Sequence, residues 1–206
     1  MLKYVIFDFD GTLADSKRVM VSAWNRLAEK HHFKELKLDE IEALKKLSIK
    51  ERSKLLDFTM YKMPLIIPQL YQLYRQSIQE IDLYEGVSEL LAELVEKGLK
   101  IAIISSNSED IIRDFLRRNH IEVVAQVLCS SRIFGKDKLI AKFLKANQVE
   151  ASEVIYVGDE HRDIVACKKT GVKIIWVSWG YDAMELVHDE GPDYMVDAPH
   201  DILELV

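Results

Sequence analysis

Two carboxylates two residues apart, Asp8 and Asp10, directly follow the apolar run Tyr4–Phe7. Open α/β sheets place their ligands at the carboxyl ends of such strands, and alternate residues of an extended chain share a face. Both acids can therefore point at one centre, while Gly11 lets the chain turn away behind them. An isolated pair of this kind more often caps a loop, so the pair alone leaves both interpretations open.

A second acidic segment, Gly158–Asp163, begins where the apolar run at residues 154–157 ends. Asp159 and Asp163 stand four residues apart across the entrance to a predicted helix, where they can collect on one side of a cation. Mg²⁺ prefers such hard oxygen ligands together with retained water. Acids in a first helical turn also complement the helix dipole, but two acidic pairs at strand ends weaken that simpler interpretation.

Two further segments offer donors for an anion. Ser105 and Ser106 follow the apolar run at residues 101–104, and the helix start predicted there is a place where anions bind. Lys136 opens another predicted helix, where its ammonium would supply positive charge beside the carboxylates. Taken singly, the serines are more simply interpreted as a helix N-cap, and the lysine as a solvated side chain.

Short β-branched runs alternate with helical periods, and this alternation predicts the elements that position the four segments. Such runs suit strands that are buried on both faces of a parallel sheet. They are Tyr4–Phe7 and residues 99–104, 123–129, 154–157 and 173–177. The helical spacing of apolar residues between them predicts an α/β fold with a doubly wound, Rossmann-like parallel sheet.

From Ser16 to about Leu83 the strand pattern vanishes and only helical periods remain. This interval predicts an inserted all-helical cap, a small bundle of four helices beside the sheet. Ser48–Glu51 has the sequence of a capping box, and Pro68 is expected near the start of the helix that carries Tyr74. The predicted domains are a core of residues 1–15 and 85–206 and a cap of residues 16–84.

The composition limits the kind of protein. The chain has 206 residues, 49% of them hydrophobic and 30% charged, which is globular composition. Lys and Arg total 28 against 34 Asp and Glu, so the net charge of −6 gives no basic excess to neutralise a nucleic acid. No apolar stretch approaches the roughly 20 residues that span a bilayer, and the two cysteines form no CxxC pair. We expect a soluble, cytoplasmic protein that binds neither nucleic acid nor membrane.

The four segments, in this order, resemble the motifs of the haloacid dehalogenase superfamily of phosphohydrolases, and the resemblance spans nearly the whole chain. The motifs are matched by Asp8–Leu13, by Ser105, by Lys136 and by Gly158–Asp163. A helical insertion just after the first motif is similar to the cap of phosphoglycolate phosphatases and β-phosphoglucomutases. That branch usually has a proline after the motif lysine, where this chain has Asp137, so Lys138 competes with Lys136 for the role.

The resemblance implies a mechanism and a Mg²⁺ cofactor. Asp8 would attack phosphorus to form an aspartyl phosphate, and Asp10 would protonate the leaving alkoxide and then activate water. The Asp8 carboxylate, the Asp10 backbone carbonyl and Asp159 would hold Mg²⁺. Asp163 would support the metal-bound waters or position Lys136. The groups expected to hold the phosphate oxygens are those of Ser105, Ser106, Gly11 and Lys136.

The acid at Asp10 narrows the expected activity. Dehalogenases and phosphonate hydrolases lack an acid at that position, so the resemblance implies hydrolysis of a small organic phosphate monoester, with phosphoglycolate as the best single candidate. A sugar-phosphate mutase uses the same acid, and a non-catalytic binding protein on this fold is a further alternative. Arg52 and Arg75 are the cap cations expected to reach a substrate carboxylate. A monomer and a homodimer both remain open.

Overall fold

The computed structural model describes residues 1–130 and 135–206. Its strands are, in chain order, β1 (Tyr4–Phe7), β2 (Ala14–Asp15), β3 (Asp82–Leu83), β4 (Lys100–Ser105), β5 (Val124–Cys129), β6 (Val154–Gly158), β7 (Lys173–Val177) and β8 (Tyr194–Val196). Its α-helices are α1 (Lys17–His31), α2 (Ile41–Lys45), α3 (Ile49–Leu55), α4 (Met63–Gln76), α5 (Val87–Glu96), α6 (Glu109–Arg118), α7 (Lys136–Asn147), α8 (His161–Thr170) and α9 (Met184–Val187). Across these two ranges, no helix has both the length and the apolar character needed to cross a membrane.

Six strands form one parallel sheet in the order β5-β4-β1-β6-β7-β8, with β1 between β4 and β6. Successive side chains of β1 point to opposite faces of the sheet, so β1 contributes to the apolar core on each face. Val5 and Phe7 pack on one face with α5 and α6, whereas Tyr4 and Ile6 pack on the other with α7 and α8. Burial of an apolar side chain of this size contributes about 1.5–3 kcal/mol. The predicted doubly wound α/β fold is confirmed.

The five predicted strands of the sheet are all present, with ends that differ from the prediction by at most one residue. The sixth, β8, is not predicted from the sequence, because three residues make too short a run to be recognised. It pairs in parallel with β7, where Tyr194 lies opposite Ile175, and so forms an edge of the sheet.

A second, two-stranded ribbon lies where the chain leaves the sheet and returns to it. In this ribbon β2 pairs antiparallel with β3, and Ala14 lies opposite Leu83. The helices α1 to α4, residues 17–76, lie between the two ribbon strands and are called the helical segment below. The strand β3 falls inside the interval predicted to be wholly helical. The division into a core of residues 1–15 and 85–206 and a cap of residues 16–84 stays a prediction.

Inside the helical segment, one local prediction is confirmed and one is wrong. The Ser48 hydroxyl accepts a hydrogen bond from the Glu51 N–H, and the Glu51 carboxylate accepts one from the Ser48 N–H at 2.8 Å, which completes the capping box. The helix that carries Tyr74 does not start near Pro68. It begins at Met63, with Pro68 in its interior and Pro64 in the first turn. Proline is tolerated in a first turn because the N–H groups there have no partner within the helix.

Candidate active site

The carboxyl ends of β1, β4 and β6 lie side by side at one edge of the sheet, and the predicted site residues meet there. Asp8 follows β1, Ser105 ends β4, and Asp159 follows β6. Because these strands are adjacent and parallel, the residues after them share one edge. The helix α7 brings its first residue, Lys136, to the same place.

A buried cation joins two of the predicted acids. Lys136 Nζ donates to Asp8 Oδ2 at 2.5 Å and also to Asp163 Oδ1, and the three side chains are at most 3% exposed. Burial raises the pKa of Asp8, and the positive charge of Lys136 offsets part of that rise. Burial alone would lower the pKa of Lys136, but the charges of Asp163 and Asp8 raise it above its ordinary value. Lys136 is therefore a stable cation held against Asp8.

Of the two lysines that compete for this place, the structure brings Lys136 to Asp8. Lys138 lies two residues further along α7 and is exposed. The physical reason is helix geometry, since residues two apart on a helix do not point in the same direction. The hydrogen bond between Lys136 and Asp163 matches the predicted positioning of the lysine by this acid.

Asp10 is hydrogen-bonded by neutral donors rather than by a cation. The Tyr74 hydroxyl of α4 donates to Asp10 Oδ1 at 2.6 Å, and Asn107 Nδ2 donates to Oδ2 at 3.0 Å. Burial raises the pKa of Asp10, while hydrogen bonds from Tyr74, Ser16 and Asn107 oppose that rise. The two carboxylates of the first motif thus have contrasting surroundings.

Tyr74 and Asn107 are the residues at Asp10 that the sequence does not reveal as part of the site. Tyr74 is fully buried and belongs to a helical stripe that predicts packing within the cap. A buried tyrosine needs a partner for its hydroxyl, and this was the signal that could have found it. Asn107 directly follows the two serines of the second motif, so its place in the chain was the available signal.

Asp159 is fully buried beside the loop of the first motif. Thr12 Oγ1 donates to Asp159 Oδ1 at 2.8 Å, and the Tyr181 N–H donates to Oδ2 at 2.6 Å. Burial raises the pKa of Asp159 well above its ordinary value, and the negative charges of Glu160 and Asp8 raise it further. Asp159 lies at the carboxyl end of β6, as predicted. Both of its carboxylate oxygens already accept hydrogen bonds.

Gly11 allows the first motif to approach Asp159 closely. Its φ is +81°, and a Cβ there would lie 2.3 Å from Asp159 Oδ2 and 2.5 Å from the Tyr181 ring. The Gly11 N–H donates to the Ala14 carbonyl oxygen at 3.0 Å, so this donor already has a partner. The structure thus gives the glycine a packing role, and its predicted contact with phosphate stays a prediction.

Ser105, the last residue of β4, and Ser106, which follows it, are both buried. Ser105 Oγ accepts a hydrogen bond from the Asn107 N–H at 3.0 Å, and Ser106 Oγ accepts one from Arg162 Nη1 at 3.0 Å. Both serines lie at the same edge as Asp8, as predicted from the end of β4. Their predicted contacts with phosphate stay predictions.

The carboxylates that cluster most tightly differ from the predicted metal ligands. In the part of the chain that the structure describes, Asp8, Glu160 and Asp163 offer ligand oxygens within 4.8 Å of one another. The predicted set was Asp8, Asp10 and Asp159, so only Asp8 is common to both. Asp159 is not a member of this cluster, and its two carboxylate oxygens accept hydrogen bonds from Thr12 Oγ1 and the Tyr181 N–H. Burial, opposed by Lys136, raises the pKa of Asp163 to about 6.

Asp8 and Asp159 have the chemistry of a site for a hard divalent cation. Their donors are carboxylate oxygens, which Mg²⁺ prefers. Burial and mutual repulsion make it costly for Asp8 and Asp159 to carry their charges, as their raised pKa values show. A divalent cation would relieve this repulsion, so the residues present fit Mg²⁺.

Arg52 and Arg75, the cations expected to reach a substrate carboxylate, both bind carboxylates of the protein. Arg52 of α3 pairs with Asp182, which also accepts a hydrogen bond from the His161 N–H at 2.7 Å. Arg75 of α4 pairs with Asp110 of α6. These ion pairs join the helical segment to the rest of the molecule, and the predicted substrate contacts stay predictions.

Known proteins resemble this chain along nearly its whole length. A family model of haloacid dehalogenase-like hydrolases matches residues 5–177. The chain is 26% identical over 206 residues to a phosphoglycolate phosphatase of Synechococcus elongatus, covering 100% of this chain and 97% of the relative. It is 23% identical over 211 residues to the pyrophosphatase PpaX of Bacillus mycoides, covering 98% of this chain and 95% of the relative.

Solved structures share the fold. A haloacid dehalogenase-like family hydrolase from Streptococcus pneumoniae superposes with a TM-score of 0.83 at 20% identity, covering 99% of this chain and 98% of the other. CbbY from Rhodobacter sphaeroides, in complex with phosphate, gives a TM-score of 0.75 at 20% identity, covering 98% and 96%. At these identities the likeness establishes the fold alone.

Proposed function

This chain belongs to the haloacid dehalogenase-like hydrolase family, and on that premise we propose that it is a Mg²⁺-dependent phosphatase. The proposed reaction is hydrolysis of a small organic phosphate monoester through an aspartyl-phosphate intermediate. The observation that carries the proposal is the contrast between Asp8, beside the cation of Lys136, and Asp10, among neutral donors. Two carboxylates in such different surroundings suit two different parts in one reaction.

Asp8 is the proposed nucleophile. The charge of Lys136 favours its carboxylate form, and one carboxylate oxygen forms a bond to phosphorus while the bond between phosphorus and the ester oxygen breaks. Asp10, whose pKa is raised by burial, gives its proton to the leaving alkoxide. The products of this step are an alcohol and a phosphorylated Asp8.

Water completes the reaction with Asp10 in the opposite role. The Asp10 carboxylate takes a proton from a water molecule as the water oxygen forms a bond to phosphorus. The bond between phosphorus and Asp8 breaks, which releases inorganic phosphate and restores the Asp8 carboxylate. Asp10 ends the cycle protonated, as it began.

Other residues at the edge of the sheet are proposed to bind the phosphoryl group. Lys136 and the hydroxyls of Ser105 and Ser106 would bind its non-reacting oxygens, where negative charge concentrates. When bound, Mg²⁺ screens the repulsion between the nucleophile and the phosphate. Asp8 and Asp159, together with the Asp10 backbone carbonyl, would hold it.

The proposed substrates follow from the relatives and from the charge of the chain. Phosphoglycolate is the first candidate and pyrophosphate the second, because relatives matched over 100% and 98% of this chain are named for those activities. A small phosphorylated metabolite, rather than nucleic acid or membrane, suits a net charge of −6. The free cysteines Cys129 and Cys167 fit a reducing cytoplasm.

Steady-state release of phosphate tests this proposal. We expect wild-type protein to hydrolyse phosphoglycolate or a related ester with Mg²⁺, and to stop when a chelator is in excess. Asp8→Asn should lower kcat by at least about 10³-fold, because it removes the nucleophile. Asp189→Asn, which changes a fully exposed carboxylate, is the matched control and should leave kcat unchanged.

The intermediate has its own readout. Acid quenching during turnover, followed by mass spectrometry, should find one added phosphoryl group on the peptide that contains Asp8, and none on that peptide in Asp8→Asn. Turnover that survives either the chelator or the loss of Asp8 would overturn the mechanism. No release of phosphate from any ester would overturn the proposed activity.

A further inference from the structure

A cleft of about 300 Å³ separates the helical segment from the acidic edge of the sheet. Lys50 and Met60 line it on the side of the helical segment, and Glu160 and Arg162 line the opposite side. Oxygens of Glu160 and Asp8 lie within 4.8 Å of each other, so this wall of the cleft adjoins the proposed nucleophile. A substrate whose phosphorus lies at Asp8 therefore has this cleft beside it, on the far side of Glu160.

Arg162 connects this cleft with Ser106, which follows the serine of the second motif. Its Nε donates to Glu160 Oε2 at 2.6 Å, and its Nη1 donates to Ser106 Oγ at 3.0 Å. The side chain is only 18% exposed, so its charge is largely withdrawn from water. Glu160 thus holds one edge of the planar guanidinium and sets its orientation, while the Nη1 end meets the Ser106 hydroxyl.

The two cations of the site differ in position. Lys136 is fully enclosed and contacts Asp8 directly, which places it at the phosphoryl group itself. Arg162 lines the cleft and is hydrogen-bonded to Glu160, which in turn lies beside Asp8. A guanidinium fork matches carboxylate and phosphate oxygens better than an ammonium does.

We propose that Arg162 binds a second anionic group carried by the leaving part of the substrate. The enzyme would then prefer phosphate esters whose organic part bears a carboxylate, or compounds with a second phosphate, over neutral esters of the same size. This inference rests on the proposed phosphatase function. It makes Arg162 a specificity-determining residue that acts on the leaving group rather than on the phosphoryl group.

Two esters that differ in one group test this assignment. Phosphoglycolate carries a carboxylate where ethyl phosphate carries a methyl group. Arg162→Met should lower the ratio of their kcat/KM values about 30-fold, mainly through phosphoglycolate, because the substrate anion loses its partner. Arg162→Lys should give a smaller fall, since it keeps the charge and loses the fork. Pyrophosphate, measured in the same variants, shows whether a second phosphate is recognised in the same way as a carboxylate.

A matched control separates recognition from the loss of any arginine ion pair. Arg113 of α6 is half exposed and pairs with Glu109 at 2.7 Å. Arg113→Met should leave the ratio of the two esters unchanged. Melting temperatures of all variants show whether Arg162→Met is folded. If it is not folded, the ratio of the two esters is compared between wild-type protein and Arg162→Lys.

Binding gives an answer that does not depend on turnover. In the Asp8→Asn background, calorimetry should show tighter binding of phosphoglycolate than of ethyl phosphate, and Arg162→Met should remove that preference. An unchanged preference, or an equal loss for both esters, would overturn the assignment, because both a structural ion pair and a contact with the phosphoryl group affect every ester equally. If wild-type protein releases phosphate from no ester, the phosphatase proposal fails, while the binding preference still decides the role of Arg162.

Discussion

The acidic edge of the sheet and the helical segment both reach the site, but through different kinds of contact. At the sheet edge, adjacent strand ends bring together buried charges, and Lys136 is enclosed between Asp8 and Asp163. The helical segment contributes single side chains from its surface, such as Tyr74 on Asp10 and Arg52 on Asp182. Charges enclosed at the edge have no water to replace a lost partner, whereas contacts across the boundary can separate if the two regions move apart. The edge is therefore suited to holding the reacting groups, and the helical segment is suited to adjusting the surroundings of those groups.

The largest effect is expected at the buried cation. Lys136→Met should lower kcat/KM by about 10³-fold or more, because it removes a donor to the phosphoryl group and leaves Asp8 without its counter-charge. Lys138→Met, two residues along the same helix, should leave kcat/KM within about twofold, as expected for an exposed charge. Phosphate release and circular dichroism of both variants provide the measurement. Equal effects of the two substitutions on kcat/KM would contradict a role for Lys136 that depends on its burial against Asp8.

An intermediate effect is expected where the helical segment touches Asp10. Tyr74→Phe removes only the hydroxyl that donates to Asp10, and should lower kcat for alkyl phosphates at least about tenfold, because a hydrogen bond to a charged group contributes about 1.5–3 kcal/mol. Hydrolysis of p-nitrophenyl phosphate should change much less, since its leaving group departs without a proton. Tyr61→Phe changes an exposed tyrosine and should affect neither substrate. A loss of equal size with both substrates would contradict a role through Asp10.

The smallest effect on turnover is expected at the ion pair that ties α3 to the loop before α9. Arg52→Met leaves Asp182 without its partner, and should lower the free energy of unfolding by about 1–3 kcal/mol with little change in kcat. Lys46 and Glu185 form a comparable bridge at 2.6 Å, but with both side chains more than half exposed. Urea denaturation should therefore show a loss for Arg52→Met and none for Lys46→Met. The reverse order would mean that burial does not govern how strongly the two regions are joined.

The fold was largely predictable because its signals are local. The run Tyr4–Phe7 is apolar at every position, as a strand covered on both faces must be, and the other predicted strands share this character. The strand β8 and the start of α4 were not predicted correctly, and the reasons are also local. The strand β8 is too short to show a pattern, and Pro64 and Pro68 are both compatible with a helix start until the chain around them is seen to pack.

The candidate site was predictable only in part. Asp8, Ser105 and Asp159 each lie at the end of a recognisable strand, and a parallel sheet brings such ends together. Tyr74 and Glu160 were not singled out, because a tyrosine in an apolar stripe and a second acid in an acidic run have simpler explanations. Their contacts with Asp10 and Arg162 depend on the direction in which each side chain points.

The amino-acid sequence by itself determined the alternation of strands and helices, the interval without sheet strands, and the acids, serines and lysine that end or begin those elements. These features depend on neighbours within a few residues, and hydrophobic periodicity records them directly. Only the tertiary structure decided that Lys136 rather than Lys138 meets Asp8, that Tyr74 reaches Asp10, and that Arg162 lines the cleft. Those contacts join residues far apart in the chain, so they are set by the packing of whole elements against one another and leave little trace in the local sequence.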